Sequence, residues 1–373
     1  MRKEILYICC GLLLSCCGYN KVNTIDNNHC IDTLFFSTNF EEINNSIVTD
    51  ITYIKLNDSH KHIISEVTKA SANTNNVFIF DKHHHKINVF DLSGNFIYEI
   101  NNIGHAHNEY NDIANFTIDD KYIYIIDNTR HQIKTYSVVD GSWVHNYHID
   151  FIAWDIESFG NNQFLFTCIQ NNPKGKLSIN QPNAAVWTTD STFQTIKNYF
   201  FKIPNDYYEI VGKNYYFTRS KESVIFHSYK NNGFYIFNPD SVIPMYIDVQ
   251  FSDNSNIRTY KKYEDIQKNK IHYLAETPYL INDHIICEIG EGEFSEVYLI
   301  DRGNNKRIYK NVEEGEQNGL LRPCCCINGR IASYIADLDF YNLLIESGFK
   351  RADSSTEEIL KNGGSCLIVY TIR

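Results

Sequence analysis

One stretch, Asn76 to Tyr147, repeats its own layout, and the period of that repeat limits what the chain can become. The first copy reads NVFIFDKHHHKINVFDLSGNFIYEI and the second DDKYIYIIDNTRHQIKTYSVVDGSWVHNY. In each, an apolar run ends in aspartate (Asp81, Asp127) and a polar turn follows, KHHH or NTRH. A second apolar run ends in an aromatic residue (Phe90, Tyr136), then come a glycine turn (Gly94, Gly141) and an aromatic restart (Phe96, Trp143). The copies are offset by about 46 residues, which for short strands and tight turns is the length of a β-propeller blade.

Similar units recur less regularly to the end of the chain. Asn161–Ile169, Ala184–Asp190 and the following QTIKNYFFKI read as strands, with the polar NNPKGKLSINQPN between the first two. Asn214–Val249 and His284–Val312 each read as strand, turn and strand, and CCCINGRIASY as a hairpin about Asn328-Gly329. Tyr260–Glu276 has helical character. So do the segments after Tyr334 and around TEEILKN, where Ser354 and Ser355 have capping-box spacing to Glu357 and Glu358. The count is an all-β, six-bladed propeller with short C-terminal helices; spacing alone also allows seven blades. ITYIKL (Ile51–Leu56) and the terminal CLIVYTIR are placed to pair and close the ring. With 26 Tyr and 23 Phe against 2 Met, the apolar content suits pleated surfaces better than helix bundles.

The first residues are a targeting segment. Arg2 and Lys3 precede a short apolar run, Ile5–Leu14, that is too short to span a bilayer. It leads into Leu13, Leu14, Ser15 and Cys16, the pattern of a bacterial lipobox, in which cleavage before Cys16 leaves that residue to be acylated. A plain secretory signal is the alternative. The expected division is a signal peptide over 1–15, a polar, asparagine-rich tether over 16–45, and one propeller over 46–373. CGYNKVN after the cleavage point lacks an acidic cluster, which favours the periplasmic face of the outer membrane. The formal charge of −11, with no long basic run, argues against nucleic acid.

Residues that could carry chemistry are few. His105, His107 and Glu109 form an HxHxE cluster that Zn²⁺ could use, against a purely structural loop. His83, His84 and His85 read as a solvated turn. Asp81 and Asp127 end apolar strands and either face the central channel or fix their hairpins as Asx turns. Glu288–Glu293 places three carboxylates about two glycines, a loop that Ca²⁺ could use, without EF-hand spacing. In Cys324–Cys326, alternation places Cys324 and Cys326 on one face as small buried hydrophobes. Neither GxSxG, HExxH, SxxK nor GxxxxGK[ST] is present. No cofactor is required by the sequence; Ca²⁺ and Zn²⁺ are the ions its clusters would take.

INVFDLSGNFIYEINNIG, the lipobox, ITYIKL and LIVYTIR together resemble the six-bladed β-propeller lipoproteins of Bacteroidota, which are similar to NHL-repeat propellers. The loop those proteins write as GxGPGEY stands here as GHAHNEY, keeping Gly104, Glu109 and Tyr110. The resemblance implies a lipid-anchored envelope protein, linked to glycan or nutrient uptake, that binds a glycan, a peptide or an envelope partner. Trp143, Trp154 and Trp187 are the stacking candidates by type. Thr33, Ser191 and Ser241, in DTL, DST and DSV, resemble the O-glycosylation sequon of that phylum's envelope proteins. Two alternatives differ in class: a metal-dependent hydrolase, lyase or lactonase with its ion in the channel, and a structural subunit of an envelope assembly.

Overall fold

The computed structural model describes residues 23–25, 30–37, 48–56, 64–160, 162–168, 184–201, 213–221, 223–228, 232–241, 243–257, 260, 263–292, 294–302, 306–307 and 321–372. Their strands form six separate sheets arranged as the blades of a propeller. The two repeat copies are blade 1 (Lys69–Ile100) and blade 2 (Asn115–His148), each a four-stranded antiparallel meander. Blade 3 covers Asp155–Phe201, blade 4 Phe217–Phe251 and blade 5 His272–Arg307. Blade 6 takes three strands from Pro323–Ile372, and its fourth is Val48–Leu56, antiparallel to Ser365–Ile372 with Ile54 opposite Leu367. The ring therefore closes through the two segments the sequence set aside for it.

Each strand buries alternate residues on either side, so a blade offers an apolar face to both neighbours. Six clusters fill the six joints. Phe78, Phe80 and Phe116 lie between blades 1 and 2, Phe151, Phe166 and Trp187 between 2 and 3, and Leu165, Phe217 and Phe237 between 3 and 4. Blades 4 and 5 share Ile236, Ile247 and Ile285. Blades 5 and 6 share Leu299, Ile331 and Ile368, and blades 6 and 1 share Leu367, Val77 and Ile79.

The N-terminal segment departs from the expected tether. Asn23–Ile25 adds a fifth, outermost strand to blade 3, parallel to Thr195–Phe201. Cys30–Phe36 does the same for blade 4, parallel to Met245–Phe251. Leu34 and Phe36 are each 2% exposed, while Thr33 and Phe35, which alternate with them, face outward. Period-two burial of this kind makes a strand of a segment whose overall composition is polar.

Three helices occur among the described residues: α1 (Tyr263–Lys268), α2 (Leu338–Glu346) and α3 (Ser354–Lys361). The last two pack Tyr341, Leu344 and Leu360 over the blade 5–6 joint. The cap of α3 is Asp353, whose carboxylate accepts from Thr356 N at 2.8 Å, rather than Ser354 or Ser355. Asn328 and Gly329 have φ of 50° and 77°, the left-handed pair that a two-residue hairpin requires. In Cys324–Cys326 a bulge between Pro323 and Cys325 breaks the simple alternation. Cys324 and Cys325 border the blade 6–1 cluster and Cys326 the blade 5–6 cluster. Burial pushes the Cys326 thiol up to about 12, as expected of an inert packing residue.

His227 joins blades 4 and 5. Its ring nitrogens lie 3.0 Å from Gly233 O and 3.0 Å from Leu274 O. Burial, with the Lys213 ammonium adding to it, holds the imidazole well below its ordinary pKa of 6.5. In the unfolded chain that ring takes up a proton below pH 6.5, while the folded protein resists it. Stability from this group is therefore complete above about pH 6.5 and is lost as the pH falls below it. Urea unfolding between pH 7.5 and 5 is expected to weaken, by up to about 1.4 kcal/mol per pH unit from this residue. His227→Gln should flatten that slope; an unchanged slope would remove His227 as its source.

Candidate functional site

The innermost strand of each blade lines the central channel, and three of them meet in an ion network. Lys69 comes from KASA in blade 1, Asp155 and Glu157 from DIESF in blade 3, and Arg219 from FTRS in blade 4. Lys69 Nζ lies 2.8 Å from Asp155 Oδ1 and 3.6 Å from Glu157 Oε2, and also donates to Phe116 O of blade 2 at 3.0 Å. Arg219 reaches Glu157 Oε1 at 2.8 Å and donates to the Ser158 carbonyl and hydroxyl. Thr117 donates to the same Glu157 oxygen at 2.9 Å.

Asp155 is fully buried. Oδ1 accepts from Lys69 and from Ile156 N; Oδ2 accepts from Tyr216 N at 2.7 Å and Phe217 N at 2.9 Å. Burial pushes its carboxyl up, and the Lys69 ammonium and the two blade 4 amides pull it back. Four donors on two oxygens leave no acceptor for an acid proton, so the group is held as the carboxylate. One side chain thereby ties blades 1, 3 and 4.

Beside this network the channel opens into a cavity of about 500 Å³. Its mouth is ringed by the turns that follow the inner strands: Asn73 and Thr74, Asp119 and Asp120, Lys221, and Asn328-Gly329. Glu157 and Arg219 form part of its wall, with the rings of Tyr215 and Tyr279. Further along the channel, Lys213 Nζ lies 3.9 Å from Glu276. Surrounding protein encloses most of the Glu276 side chain, which is 36% exposed. That enclosure raises its carboxyl, against the pull of Lys213. Charged groups, amides and aromatic faces converging in one concavity are what a specific polar ligand needs.

Asp119 and Asp120 also border a second hollow of about 340 Å³ between blades 2 and 3. Tyr122, Tyr124, His145, Tyr147 and Phe164 line it, with Ser191 at its edge. A larger hollow of about 650 Å³ lies away from the channel, between α1 and the blade 5 hairpin that carries Phe294. Its His272 is held by Asp253 at 2.7 Å and packs on Phe251.

The residues singled out in the sequence fall elsewhere. Asp81 and Asp127 end the second strand of their blades, not the innermost one, and both are fully buried. Asp81 accepts from Ser65 N at 2.9 Å and His84 Nδ1 approaches it at 2.8 Å; Asp127 accepts from Asn111 N at 2.9 Å and Arg130 N at 3.1 Å. Each fastens the connection entering its own blade, which takes them off the channel wall and makes them turn residues. Of the three histidines in the blade 1 turn, His85 approaches Asp112 at 2.8 Å and His83 packs edge-on against His84.

The HxHxE residues do not converge. Glu109 folds back to accept from Ala106 N at 2.7 Å, and His107 packs edge-on against Trp143 at 4.8 Å, while His105 is exposed. A side chain at Gly104 would collide with the Glu109 carboxylate, which accounts for the glycine. Arg130 donates to Gly104 O at 2.7 Å and Ala106 O at 3.1 Å, so GHAHNEY is held without the glycine and proline it lacks. Among the described residues no three His, Cys, Asp or Glu side chains stand close enough to share an ion.

Glu288 is paired with Arg322 at 2.5 Å, Glu291 lies 3.7 Å from His272, and Glu293 falls outside the described residues, as do Cys16 and the NNPKGKLSINQPN loop. Thr33, Ser191 and Ser241 are all exposed. Trp187 is buried core, Trp143 is half-buried, and Trp154 is 48% exposed at the end of the channel opposite the cavity.

Lys69, Glu157 and Arg219 were not foreseen. A charged residue in a short strand (KASA, DIESF, FTRS) was the available signal, but Lys69 and Asp155 are 86 residues apart, and closure of the ring alone brings them together.

Comparison with known proteins adds a family and a fold. No curated protein matches the chain. A crystal structure of a Bacteroides fragilis NCTC 9343 protein, named for its inferred export, is similar at 17% identity with a TM-score of 0.70, over 91% of this chain and 99% of that one. It shares the propeller fold. A member of the DUF4221 family from Bacteroides vulgatus ATCC 8482 is 10% identical, with a TM-score of 0.49, over 88% and 98% of the two chains. A streptogramin B lyase is 13% identical, with a TM-score of 0.41, over 86% and 98%. The last two superpose too loosely to bear on function. The profile of one family matches residues 23–364, from the blade 3 strap to the residue before the closing strand. The chain therefore belongs to the DUF4934 family, a domain of unknown function.

Proposed function

We propose that the protein is an exported, lipid-anchored propeller of the cell envelope that binds a polyhydroxylated ligand, a glycan, in the channel-mouth cavity. The observation that carries this reading is the cavity's lining. Arg219 is fixed by the ion network, Asp120 offers a carboxylate and Asn73 and Asn328 offer amides at the mouth, and Tyr215 offers its ring. Carboxylate, guanidinium and amide groups match sugar hydroxyls, and the ring matches the apolar face of a pyranose. Export is supported by the lipobox at Cys16 and by the name of the B. fragilis protein that shares the fold. A binding role is preferred over a metal-dependent reaction because, among the described residues, no three His, Cys, Asp or Glu side chains stand close enough to share an ion.

The test is a thermal melt of the mature protein against a panel of envelope and dietary oligosaccharides. A ligand of the folded state at a hundredfold its Kd stabilises by about 2.7 kcal/mol, which a melt resolves. Tyr215→Ala is expected to weaken the binding at least tenfold, measured below the lowered ligand-free midpoint that emptying this enclosed site brings. A flat response across the panel, or a ligand whose affinity ignores Tyr215, would overturn the assignment.

A further inference from the structure

We infer that the face carrying the channel-mouth cavity is the face apposed to the membrane, so that the cavity meets its ligand at the bilayer surface. This rests on the lipid-anchor reading above and adds an orientation to it.

The path of the N-terminal strap sets that orientation. In blade 3 the inner strand Asp155–Phe159 runs toward the cavity side, and alternate strands reverse. The turn at Asp190–Gln194 therefore lies on the cavity side, and Thr195–Phe201 runs away from it. Asn23–Ile25 runs parallel to that strand and enters opposite Lys197, its third residue. The chain thus joins the body at the cavity-side corner of blade 3. Cys16 is seven residues earlier, a reach of at most about 25 Å when fully extended. In the opposite orientation those residues would have to double back down the blade edge and use up most of that reach.

Exposed apolar side chains agree with this placement. Ile97, Val139, Val144, Ile196 and Ile243 are 39–83% exposed and stand at cavity-side ends of outer strands or in cavity-side turns of blades 1 to 4. Phe35, Ile103, Trp154 and Phe294 are exposed toward the opposite face, so apolar exposure alone does not choose between the faces; the entry point of the strap does. A bilayer interface accepts scattered aliphatic side chains of this kind when a covalent lipid already holds the protein there.

Lys121 and Thr129 provide the test, because they are exposed at opposite ends of one strand, Tyr122–Asp127, with Lys121 on the cavity side. Each is replaced by an azide-bearing amino acid and coupled to a fluorophore in the full-length, acylated protein. The protein is then inserted into phosphatidylethanolamine–phosphatidylglycerol vesicles containing a headgroup spin label. Quenching at Lys121 is expected to exceed that at Thr129 at least twofold, and the unacylated Cys16→Ala chain should show neither. Equal quenching, or more at Thr129, with acylation confirmed by mass, overturns the orientation and leaves the anchor reading standing. Absence of acylation overturns both. Hydrogen exchange on the unlabelled lipoprotein gives a second readout: binding to vesicles should slow the turns at 119–121 and 138–142 more than the turn at 128–131, and the reverse order would overturn the inference.

Discussion

Replacing Phe36 with alanine is expected to lower the unfolding free energy by about 3–5 kcal/mol, the usual cost of emptying a buried aromatic site. Phe36 is 2% exposed, and its ring meets Phe251 at 5.5 Å and Tyr298 at 5.0 Å, both edge-on. It therefore fills the joint between blades 4 and 5 although it comes from a strand outside the regular meander. Phe35, its neighbour, is 49% exposed, and Phe35→Ala should change stability by about 0.5 kcal/mol or less. The contrast between adjacent residues tests the register of the strap, because a one-residue slip would exchange their faces. Urea titrations of the two variants decide it. Similar small effects for both would mean that Cys30–Phe36 does not dock as a strand.

Asp155→Ala is expected to cost as much, about 3–5 kcal/mol, for a different reason. The substitution leaves the Lys69 ammonium buried beside a single carboxylate at 3.6 Å and strips the acceptor from the Tyr216 and Phe217 amides. Lys69→Met alone leaves the buried Asp155 carboxylate without its cation, while Glu157 keeps Arg219, and should also be strongly destabilising. The double variant Lys69→Met/Asp155→Ala should lose less than the sum of the two, by about 1–3 kcal/mol, because neither lone charge is then left behind. Additive losses in urea titrations would show that the two side chains act independently, contrary to their 2.8 Å contact.

The sequence made the ring legible and left its centre obscure. Asp81 and Asp127, Gly94 and Gly141, and the two terminal strands are local or periodic signals, and a period of about 46 residues leaves few alternatives. What failed was reading by average composition. The segment after Cys16 is rich in asparagine, and that average hid DTLFF, in which Leu34 and Phe36 alternate with Thr33 and Phe35 as a half-buried strand must. The HxHxE loop drew notice because its residue types suit a metal. Whether three side chains converge depends on backbone turns that one residue, Glu109 capping Ala106, decides. Lys69, Asp155, Glu157 and Arg219 lie on three different blades and have no common spacing, so no local pattern could assemble them.

The joint in blade 6 has a temporal consequence. Val48–Leu56 finds its sheet partner in Ser365–Ile372, more than three hundred residues later. Until the ribosome has finished the chain, that early strand has no companion, and the other five blades cannot be sealed into a ring. Contacts of such long sequence separation are slow to form, and an unpaired apolar strand is an invitation to aggregate while it waits. A nascent chain of this kind gains little from folding as it emerges.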